Sequence, residues 1–494
     1  MTAAAGYADP MLLLVLLGCT ADPPKSSPAD SGSTSLVGST LVLNLDPERR
    51  FLAIPASTLP PFVELDVDGA DPGSVRFRLE TATGALISND TGPGLAPVPN
   101  QRVEITVGDI TWALSLVPDD LPVVSGPGGD VDGFFFLTPR ERGAPYPPSG
   151  YGKYLLVVDG AGVPVWWRDT TGLSNDFRVG GDGLFSAQTF LDGAPKRESV
   201  RIDPVGGAAV ERWVPTAPDG WEDAWTDPHE LQVNADGTVL TVITGTDTVD
   251  LRSVGGDEVG EVQQSAVQLL AADRSVIAQW EAEIVDMTTL PPDAIATESE
   301  RAPWRWTHIN SAEAVEDGWL LSLRTPGEVV KVRRDTGEVE WRFGGIHSDF
   351  TLTNDGGFFG QHSVRWLGDD RLMLFDNRTN FGSPTLGDAR YVEYALDLDA
   401  MMATLVDSFE LQGAGGVDYT GHVQRLADGR TVVGWGSVQE LDDGSRAPSI
   451  HVLEPDGSVS LELALPLGMY SYRAWYAEGD PIEGSWWRSE PPPR

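Results

Sequence analysis

The sequence predicts an all-β protein, a six-bladed β-propeller preceded by a small N-terminal β-sandwich domain. Short apolar runs rich in Val, Thr, Trp and Phe are separated by many turn residues, with 55 glycines and 37 prolines in the chain. A unit of strand, turn and aromatic-bearing strand recurs about every 40–60 residues, which is typical of propeller blades. Four of the six histidines occupy one phase of this repeat. Stacking of the repeats around an axis would bring these histidines together.

Residues 1–19 are interpreted as a signal peptide with a lipobox. The apolar run MLLLVLLGCT ends in Leu16-Leu17-Gly18-Cys19, which resembles the lipobox of bacterial lipoproteins. The run is too short to span a bilayer as a helix. No Lys or Arg precedes it, so translation from Met11 and a plain cleaved signal are the alternatives. We therefore expect lipidation at Cys19 and a bacterial cell-envelope location, as a periplasmic or surface lipoprotein or otherwise as a secreted protein.

Two segments separate this signal from the predicted propeller. Residues 20–40 are rich in Pro, Ser, Asp and Gly and are predicted to form a disordered tether. Residues 41–125 hold alternating runs such as FVELDV and RVEITV, which predict strands with one buried face and hence a β-sandwich. Residues 122–132, PVVSGPGGDVD, predict a Gly/Pro hinge into the next domain. Cys19 is the only cysteine, so an intramolecular disulfide is impossible.

Residues 126–494 are assigned to the propeller domain. The repeat divides into six units, near 133–170, 176–214, 229–283, 308–343, 362–410 and 422–465. Two stacked β-sandwiches are the alternative, but the shared phase of the histidines favours circular closure.

Two insertions interrupt the units, each just before a repeat histidine. Residues 215–228 carry Trp221 and Trp225, and residues 283–307 carry Trp304 and Trp306. Long loops in compact domains are often functional. These tryptophans therefore either wall a pocket over the propeller axis or pack on neighbouring blades.

The chain is strongly acidic, with 34 Lys and Arg against 74 Asp and Glu and a formal charge of −40. Such a charge keeps the protein soluble and repels nucleic acids and anionic membrane surfaces. It would also repel an anionic substrate, so an anion site requires local positive groups. Arg324, Arg378 and charged imidazoles are the candidates.

The four in-phase histidines are His229, His308, His362 and His422, each expected where the first strand of a blade begins. Asn310 lies two residues after His308, and Arg324 ends the next strand of that unit. The histidines could instead tie turns to adjacent strands, or ligate a transition metal. An arginine and an asparagine in the same cluster favour an oxyanion over a cation, so no metal site is predicted. His347 and His451 lie off the repeat phase, in a loop and an outer strand.

Several ordered motifs carry a family resemblance. These are W-T-H-I-N-S, a strand ending in S-L-R, DTGEVEWRFGG, G-Q-H and LFDN, all between residues 304 and 377. Over roughly residues 133–465 the chain resembles the bacterial arylsulfate sulfotransferases. The resemblance implies an N-terminal β-sandwich and a six-bladed propeller. It also implies transfer of a sulfuryl group from a phenolic sulfate ester to a phenolic acceptor, by a ping-pong mechanism through a sulfohistidine, with no phosphoadenosine cofactor.

The resemblance also implies roles for particular residues. His362 matches the nucleophile, and His308 or His229 is expected to be the general acid. Positive donors around the sulfuryl oxygens would stabilise the transition state. The remaining predicted site residues are Arg324 as a catalytic residue and Asn310, His422 and Asn377 as substrate-binding residues. The alternative functions are a non-catalytic envelope propeller that binds an aromatic anion or a protein partner, and a metal-dependent propeller hydrolase.

Overall fold

The structure of the protein is a computed structural model. Cys19, the predicted signal peptide and most of the predicted tether lie outside the described residues, as do residues 283–302 of the second insertion. The structure describes residues 33–37, 40–45, 51–59, 63–70, 75–80, 86–89, 94–95, 101–129, 131, 133–143, 145–194, 196–204, 207–219, 221, 224–282, 303–379 and 386–479.

The described residues are built almost entirely of β-strands, which are numbered here in chain order. The strands are β1 Ser33–Val37, β2 Thr40–Asn44, β3 Phe51–Pro55, β4 Val63–Val67, β5 Val75–Glu80, β6 Leu86–Asn89, β7 Gly94–Leu95, β8 Gln101–Val107, β9 Ile110–Val117, β10 Ser125–Gly128, β11 Gly133–Glu141, β12 Tyr154–Asp159, β13 Pro164–Asp169, β14 Asn175–Val179, β15 Phe185–Thr189, β16 Glu198–Ile202, β17 Ala209–Trp213, β18 Trp225–Val233, β19 Val239–Val249, β20 Gly260–Leu270, β21 Val276–Glu281, β22 Trp304–Arg305, β23 Ile309–Val315, β24 Gly318–Leu323, β25 Glu328–Arg333, β26 Val339–Gly344, β27 Thr351–Leu352, β28 His362–Gly368, β29 Arg371–Asp376, β30 Arg390–Asp397, β31 Met402–Glu410, β32 His422–Arg425, β33 Thr431–Gly434, β34 Ile450–Leu453, β35 Val459–Ala464 and β36 Met469–Glu478. Single-turn 3₁₀ helices occupy Ala56–Thr58 and Arg252–Val254.

The all-β prediction is therefore confirmed. Within the described ranges, no helix is both long enough and apolar enough to cross a membrane. The chain forms two compact units that divide between Asp119 and Asp120. The sequence instead placed this division at residue 125, because the Gly/Pro-rich stretch was interpreted as a hinge. Part of that stretch, β10, is a strand that pairs with β35 in the second unit.

The first unit contains two sheets around one hydrophobic core. Strands β1, β2, β4 and β7 form one sheet, and β3, β9, β8, β5 and β6 form the other. Leu43 of the first sheet and Val103, Ile105 and Leu114 of the second are fully buried in this core. The alternation of apolar and polar residues along these strands sends every second side chain into the core.

The described residues of the second unit form six mainly antiparallel sheets of four or five strands, numbered here by their order along the chain. The sheets are sheet 1 (β13, β12, β11, β36), sheet 2 (β14 to β17), sheet 3 (β18 to β21, with β22), sheet 4 (β23 to β26), sheet 5 (β28 to β31, with β27) and sheet 6 (β32 to β35, with β10). Sheets 2 to 6 begin close to the predicted unit boundaries.

The six sheets are arranged in a ring. Their inner strands contact one another in the order β14, β18, β23, β28, β32 and β36, and β36 returns to β14. Strand β36, the last one among the described residues, pairs antiparallel with β11 and completes sheet 1. A closed ring of radiating sheets is the arrangement of a β-propeller.

The centre of the ring is occupied by charged side chains rather than by apolar ones. Glu230 of sheet 3 is fully buried and accepts hydrogen bonds from Arg178 at 2.7 Å, Arg365 at 3.2 Å and Arg473 at 3.1 Å. These residues belong to sheets 2, 5 and 1. The Ala312 amide of sheet 4 donates to the same carboxylate at 3.2 Å. One side chain therefore links five sheets.

A second buried carboxylate, Asp176, completes this network. It accepts from Arg473 at 2.7 Å, from the Trp475 indole at 2.8 Å and from the Leu231 amide at 2.6 Å. Burial alone would raise the pKa of Glu230, but the guanidiniums of Arg365, Arg473 and Arg178 hold it well below its usual range. Glu230 is therefore ionised, and both buried carboxylates have guanidiniums beside them.

We expect Glu230→Gln to lower the free energy of unfolding by about 3–5 kcal/mol, because it leaves buried guanidiniums without their shared carboxylate. Denaturant unfolding monitored by tryptophan fluorescence would measure this. Asp335→Asn, which removes an exposed partner of Arg333, is the control and should leave stability nearly unchanged. Equal effects of the two substitutions would contradict a central role for Glu230.

Candidate active site

Irregular pairing at the start of the inner strands directs polar side chains into the ring. In β18, residues 227–230 lie opposite a single residue of β19, because the pairing shifts between Thr226 and Leu231. In β23 the shift leaves Asn310 unpaired, and in β28 it follows His362. Bulges of this kind bend a strand and redirect side chains, and they are common beside active sites.

Backbone strain marks the same positions. His308, Ser363 and Thr420 have φ values of 51°, 54° and 70°, which lie in the left-handed region. Residues other than glycine adopt this region rarely and at a cost in energy. His308 directly precedes β23 of sheet 4. Ser363 is the second residue of β28 in sheet 5, and Thr420 lies two residues before β32 in sheet 6.

Three of the four predicted histidines come together here. The Nε2 atoms of His229 and His308 are 3.1 Å apart, and the ring centroids are 4.9 Å apart. His362 is close enough that the charges of Arg324 and His229 both lower its pKa. The shared phase of the repeat therefore predicted this cluster for His229, His308 and His362.

The tautomer of His362 is determined by its neighbours. Its Nδ1 lies 2.9 Å from the Gly360 carbonyl and 2.7 Å from Asn377 Oδ1. Asn377 Nδ2 donates to the carbonyls of Val417 and Thr420, which leaves its oxygen to face the imidazole. Since both partners of Nδ1 only accept, Nδ1 carries the proton. Nε2 then has the lone pair and accepts the Thr420 amide at a long 3.3 Å.

His229 has a carboxylate partner. Asp227 Oδ1 lies 2.5 Å from His229 Nδ1, and the Thr244 hydroxyl donates to the other oxygen of Asp227. Burial alone would raise the pKa of Asp227, but His229 and these hydrogen bonds lower it. Asp227 is therefore ionised and accepts from His229 Nδ1, which fixes the ring so that its Nε2 faces His308 Nε2.

His308 and His362 are held neutral. Burial is the main cause that lowers the pKa of each imidazole well below 6.5. The guanidinium of Arg324 lowers both further. Arg324 is itself fixed by donating to the Asp418 carbonyl at 2.6 Å. Asn310 donates to the Gln361 carbonyl at 2.6 Å, while its own buried Oδ1 has no partner among the described atoms.

The structure places His422, Asn377 and Arg378 outside the predicted substrate-contacting group. His422 is fully buried with its ring 4.3 Å from that of Trp475, beside the central charged network, and neither of its ring nitrogens has a partner among the described atoms. All polar atoms of the Asn377 side chain are used within the protein, so it positions His362 instead. Arg378 donates to the Leu386 carbonyl and faces Asp376, away from the cluster.

The tryptophans of the insertions follow the packing interpretation. Trp304 and Trp306 pack against Leu251 and Val262 of sheet 3 and its connecting loop. Trp221 covers Gly245, where an added Cβ would lie 2.4 Å from the indole. A cavity of about 650 Å³ is lined by Trp280, Trp306 and His347, and also by Thr307 and Leu323, which precede His308 and Arg324 in the chain.

Several residues near the cluster were not predicted. Asp227 could have been found from the sequence, because it is two residues before His229. Arg140 of β11, Arg197 before β16 and Tyr472 of β36 had no such signal, since they lie off the repeat phase. His347 pairs with Glu328 and His451 with Glu462, which is consistent with loop and outer-strand positions. In the part of the chain that the structure describes, no group of three or more His, Cys, Asp or Glu residues could hold a metal ion.

A ring of sheets with imidazoles and a guanidinium at the start of its inner strands defines a propeller-like protein with a candidate group-transfer site. Residues 208–451 match the family model of the arylsulfotransferases (ASST), and this span contains His229, His308, Arg324 and His362. The match supports membership of the chain in the arylsulfotransferase family. That family implies a sulfotransferase that uses a sulfate donor and a phenolic acceptor.

Solved structures are similar only in general outline. A protein of unknown function from Bacteroides caccae is 12% identical, with 70% of this chain and 98% of that chain covered and a TM-score of 0.43. A periplasmic gluconolactonase from Pseudomonas aeruginosa is 12% identical over 70% of this chain and 99% of its own, with a TM-score of 0.34. At these scores the likeness carries no conclusion about activity. No curated protein sequence matches the chain.

We expect His362 to remain neutral, with its proton on Nδ1, well below pH 6.5, because burial and Arg324 lower its pKa. Nitrogen NMR of ¹⁵N-histidine-labelled protein would measure both the tautomer and the titration. In the denatured chain the same residue should titrate near 6.5. Asn377→Ala should give a mixture of tautomers, and an unchanged spectrum would contradict the positioning role of Asn377.

Proposed function

We propose that this protein is an aryl sulfotransferase that needs no phosphoadenosine cofactor and works by a ping-pong mechanism through a sulfohistidine at His362. The observation that carries the proposal is the fixed tautomer of His362. A neutral imidazole with its Nδ1 proton held by Asn377 and Gly360 presents the Nε2 lone pair as a nucleophile. The family match supports the reaction class, and the geometry supports the choice of nucleophile.

In the first half-reaction, Nε2 of His362 attacks the sulfur of an aryl sulfate. The N–S bond forms as the S–O(aryl) bond breaks, and the phenolate departs with the electron pair. The Thr420 amide, at a long 3.3 Å from Nε2, is the contact that the incoming sulfur must displace. Arg324 and the neighbouring imidazoles supply positive charge and donors to the sulfuryl oxygens, an electrostatic stabilisation typical of such sites.

His229 is the proposed proton donor to the leaving phenolate. Asp227 stabilises the imidazolium, whereas the lowered pKa of His308 makes that ring the proton acceptor of the pair. In the second half-reaction His229 takes the proton of the acceptor phenol, which attacks sulfur and breaks the N–S bond. The proton that stays on Nδ1 keeps the sulfated imidazole cationic, which makes it a better leaving group.

The cellular setting is part of the proposal. The lipobox-like run at residues 16–19 supports a lipid anchor on Cys19 and a location in the bacterial cell envelope. The substrates there would be phenolic sulfate esters and phenolic acceptors. The net charge of −40 would repel nucleic acids.

Incubation with 4-nitrophenyl sulfate and no acceptor should release one equivalent of 4-nitrophenol and add one sulfuryl group to the peptide containing His362. The release should persist at pH 6, since the pKa of His362 is lowered. Stopped-flow absorbance and intact-protein mass spectrometry would measure these outcomes.

His362→Ala should abolish this release, while His347→Ala, a histidine paired with Glu328 outside the cluster, should retain it. A full burst in the His362 variant would exclude His362 as the nucleophile, and His308 would then be the next candidate.

Asp227→Asn should slow transfer from phenyl sulfate by about 10²–10⁴-fold, the usual range for general acid–base catalysis. Transfer from 4-nitrophenyl sulfate should fall much less, because 4-nitrophenolate leaves without protonation. Single-turnover rates of the Asp227→Asn protein with a series of substituted phenyl sulfates should depend more steeply on the pKa of the leaving phenol than the rates of the unchanged protein. Equal losses for all donors would argue against His229 as the acid.

A further inference from the structure

A second group of positive side chains lies on the opposite side of His229 from His362. Arg140 belongs to sheet 1 and Arg197 to sheet 2, whereas His308 and Arg324 belong to sheet 4 and His362 to sheet 5. His229, on sheet 3, lies between these groups in the order of the ring. Asp227, which pairs with His229, is also close enough to affect the pKa of Arg197. The two groups therefore border one site from two sides.

Arg140 and Arg197 have no carboxylate partners within the described part of the chain. No salt bridge joins either residue to an acidic side chain there, and the Nε of each is buried without a hydrogen-bond partner. Asn175, with its amide oxygen turned toward Arg140, accepts from Nη2 at 3.0 Å. By contrast, Arg178, Arg142 and Arg201 of sheets 1 and 2 each face a carboxylate.

Tyr472 adds an unused hydroxyl at the same place. The residue is only 5% exposed, and its hydroxyl has no partner among the described atoms. The Arg140 guanidinium lies 5.4 Å from the centre of its ring, and the ring is 5.6 Å from that of His229. A buried hydroxyl without a partner costs free energy unless a ligand supplies one.

The carboxylate that acts on Arg197, Asp227, is already paired with His229. Burial lowers the pKa of both Arg140 and Arg197, and the charge of Arg140 lowers that of Arg197 further. In a chain of net charge −40, two half-buried arginines that have no salt-bridge partner among the described residues are unusual. A bound anion would neutralise them and would accept a hydrogen bond from the Tyr472 hydroxyl.

We propose that the phenolic substrates of this enzyme carry a second anionic group, a carboxylate attached to the aromatic ring, which Arg140, Arg197 and Tyr472 bind while the sulfuryl group is transferred at His362. The inference rests on the proposed function. In a ping-pong reaction the donor's phenol and the acceptor occupy the same place in turn, so one subsite recognises both. Guanidinium groups match the planar carboxylate geometrically, and the Tyr470 and Tyr472 rings flank Arg140 at 5.2 and 5.4 Å.

A matched pair of donors tests this substrate class. The protein should use 4-(sulfooxy)benzoate with a kcat/KM at least about tenfold above that for its methyl ester, which corresponds to one charge-assisted hydrogen bond. The ester has the better leaving group, so a preference for the free acid cannot come from intrinsic reactivity. Equal use of the two donors, or a preference for the ester, would overturn the proposal.

Arg140→Gln and Arg197→Gln should each remove this preference by raising the KM of the carboxylate donor about tenfold, with kcat/KM for the ester unchanged. Arg201→Gln is the matched control, because Arg201 lies on sheet 2 but already faces Glu211 and Asp182. Loss of activity toward both donors in the two variants would contradict a subsite for the carboxylate and would place these arginines at the sulfuryl group.

A binding measurement separates this inference from the proposed function. Isothermal titration calorimetry with 4-hydroxybenzoate and its methyl ester requires no sulfuryl transfer, and His362→Ala protein should retain the preference for the acid. If the protein transfers no sulfuryl group but binds the acid through Arg140, the subsite stands and the proposed function fails. If transfer occurs without any preference for the acid, the proposed function stands and the subsite fails.

Discussion

The buried carboxylate of Glu230 is the interaction on which the rest of the ring depends. It accepts hydrogen bonds from arginines of three sheets and from a backbone amide of a fourth. Without these groups, apolar side chains or water would have to fill the centre of the ring. A buried charge is tolerated only when its partners are all present. The sheets must therefore be in register around the axis for any of these arginines to be accommodated, and the network specifies the geometry of the strands that carry the site.

The residues of the candidate site and those of the central network lie on the same irregular strand starts. The shift in β18 presents Asp227 and His229 on one side and Glu230 on the other. In β36 the irregular pairing around Tyr472 and Arg473 does the same. Residues of the stabilising network and residues of the candidate site are therefore neighbours in sequence, since a bulge sends neighbouring side chains in different directions. The strained backbone at His308 and Thr420 is maintained by the rigid ring around it.

Composition and the short apolar runs predicted the all-β fold, and repeat phase predicted the starts of sheets 2 to 6 and the meeting of His229, His308 and His362. Repeat phase could not predict that the His422 side chain packs on Trp475 and not beside the other three histidines, because the orientation of His422 depends on local strand pairing. It missed β36 because the partner strand, Gly133–Glu141, is over three hundred residues away and leaves no periodic trace. Arg140, Arg197 and Tyr472 were missed because they lie off the repeat phase. The role of Asn377 required its hydrogen-bond partners, which a motif does not contain.

Closure of the ring by β36 has a consequence for how the chain is made. Until Met469–Glu478 has been synthesised, β11 and β14 lack their neighbour and Glu230 lacks Arg473. Pairing of segments so distant in sequence is slow, because a long loop must close first. A ribosome that stops early would release a chain with unpaired strand edges and a buried carboxylate short of a counter-ion. Such products are suited to degradation, so the final strand acts as a check on completeness before a working site can exist.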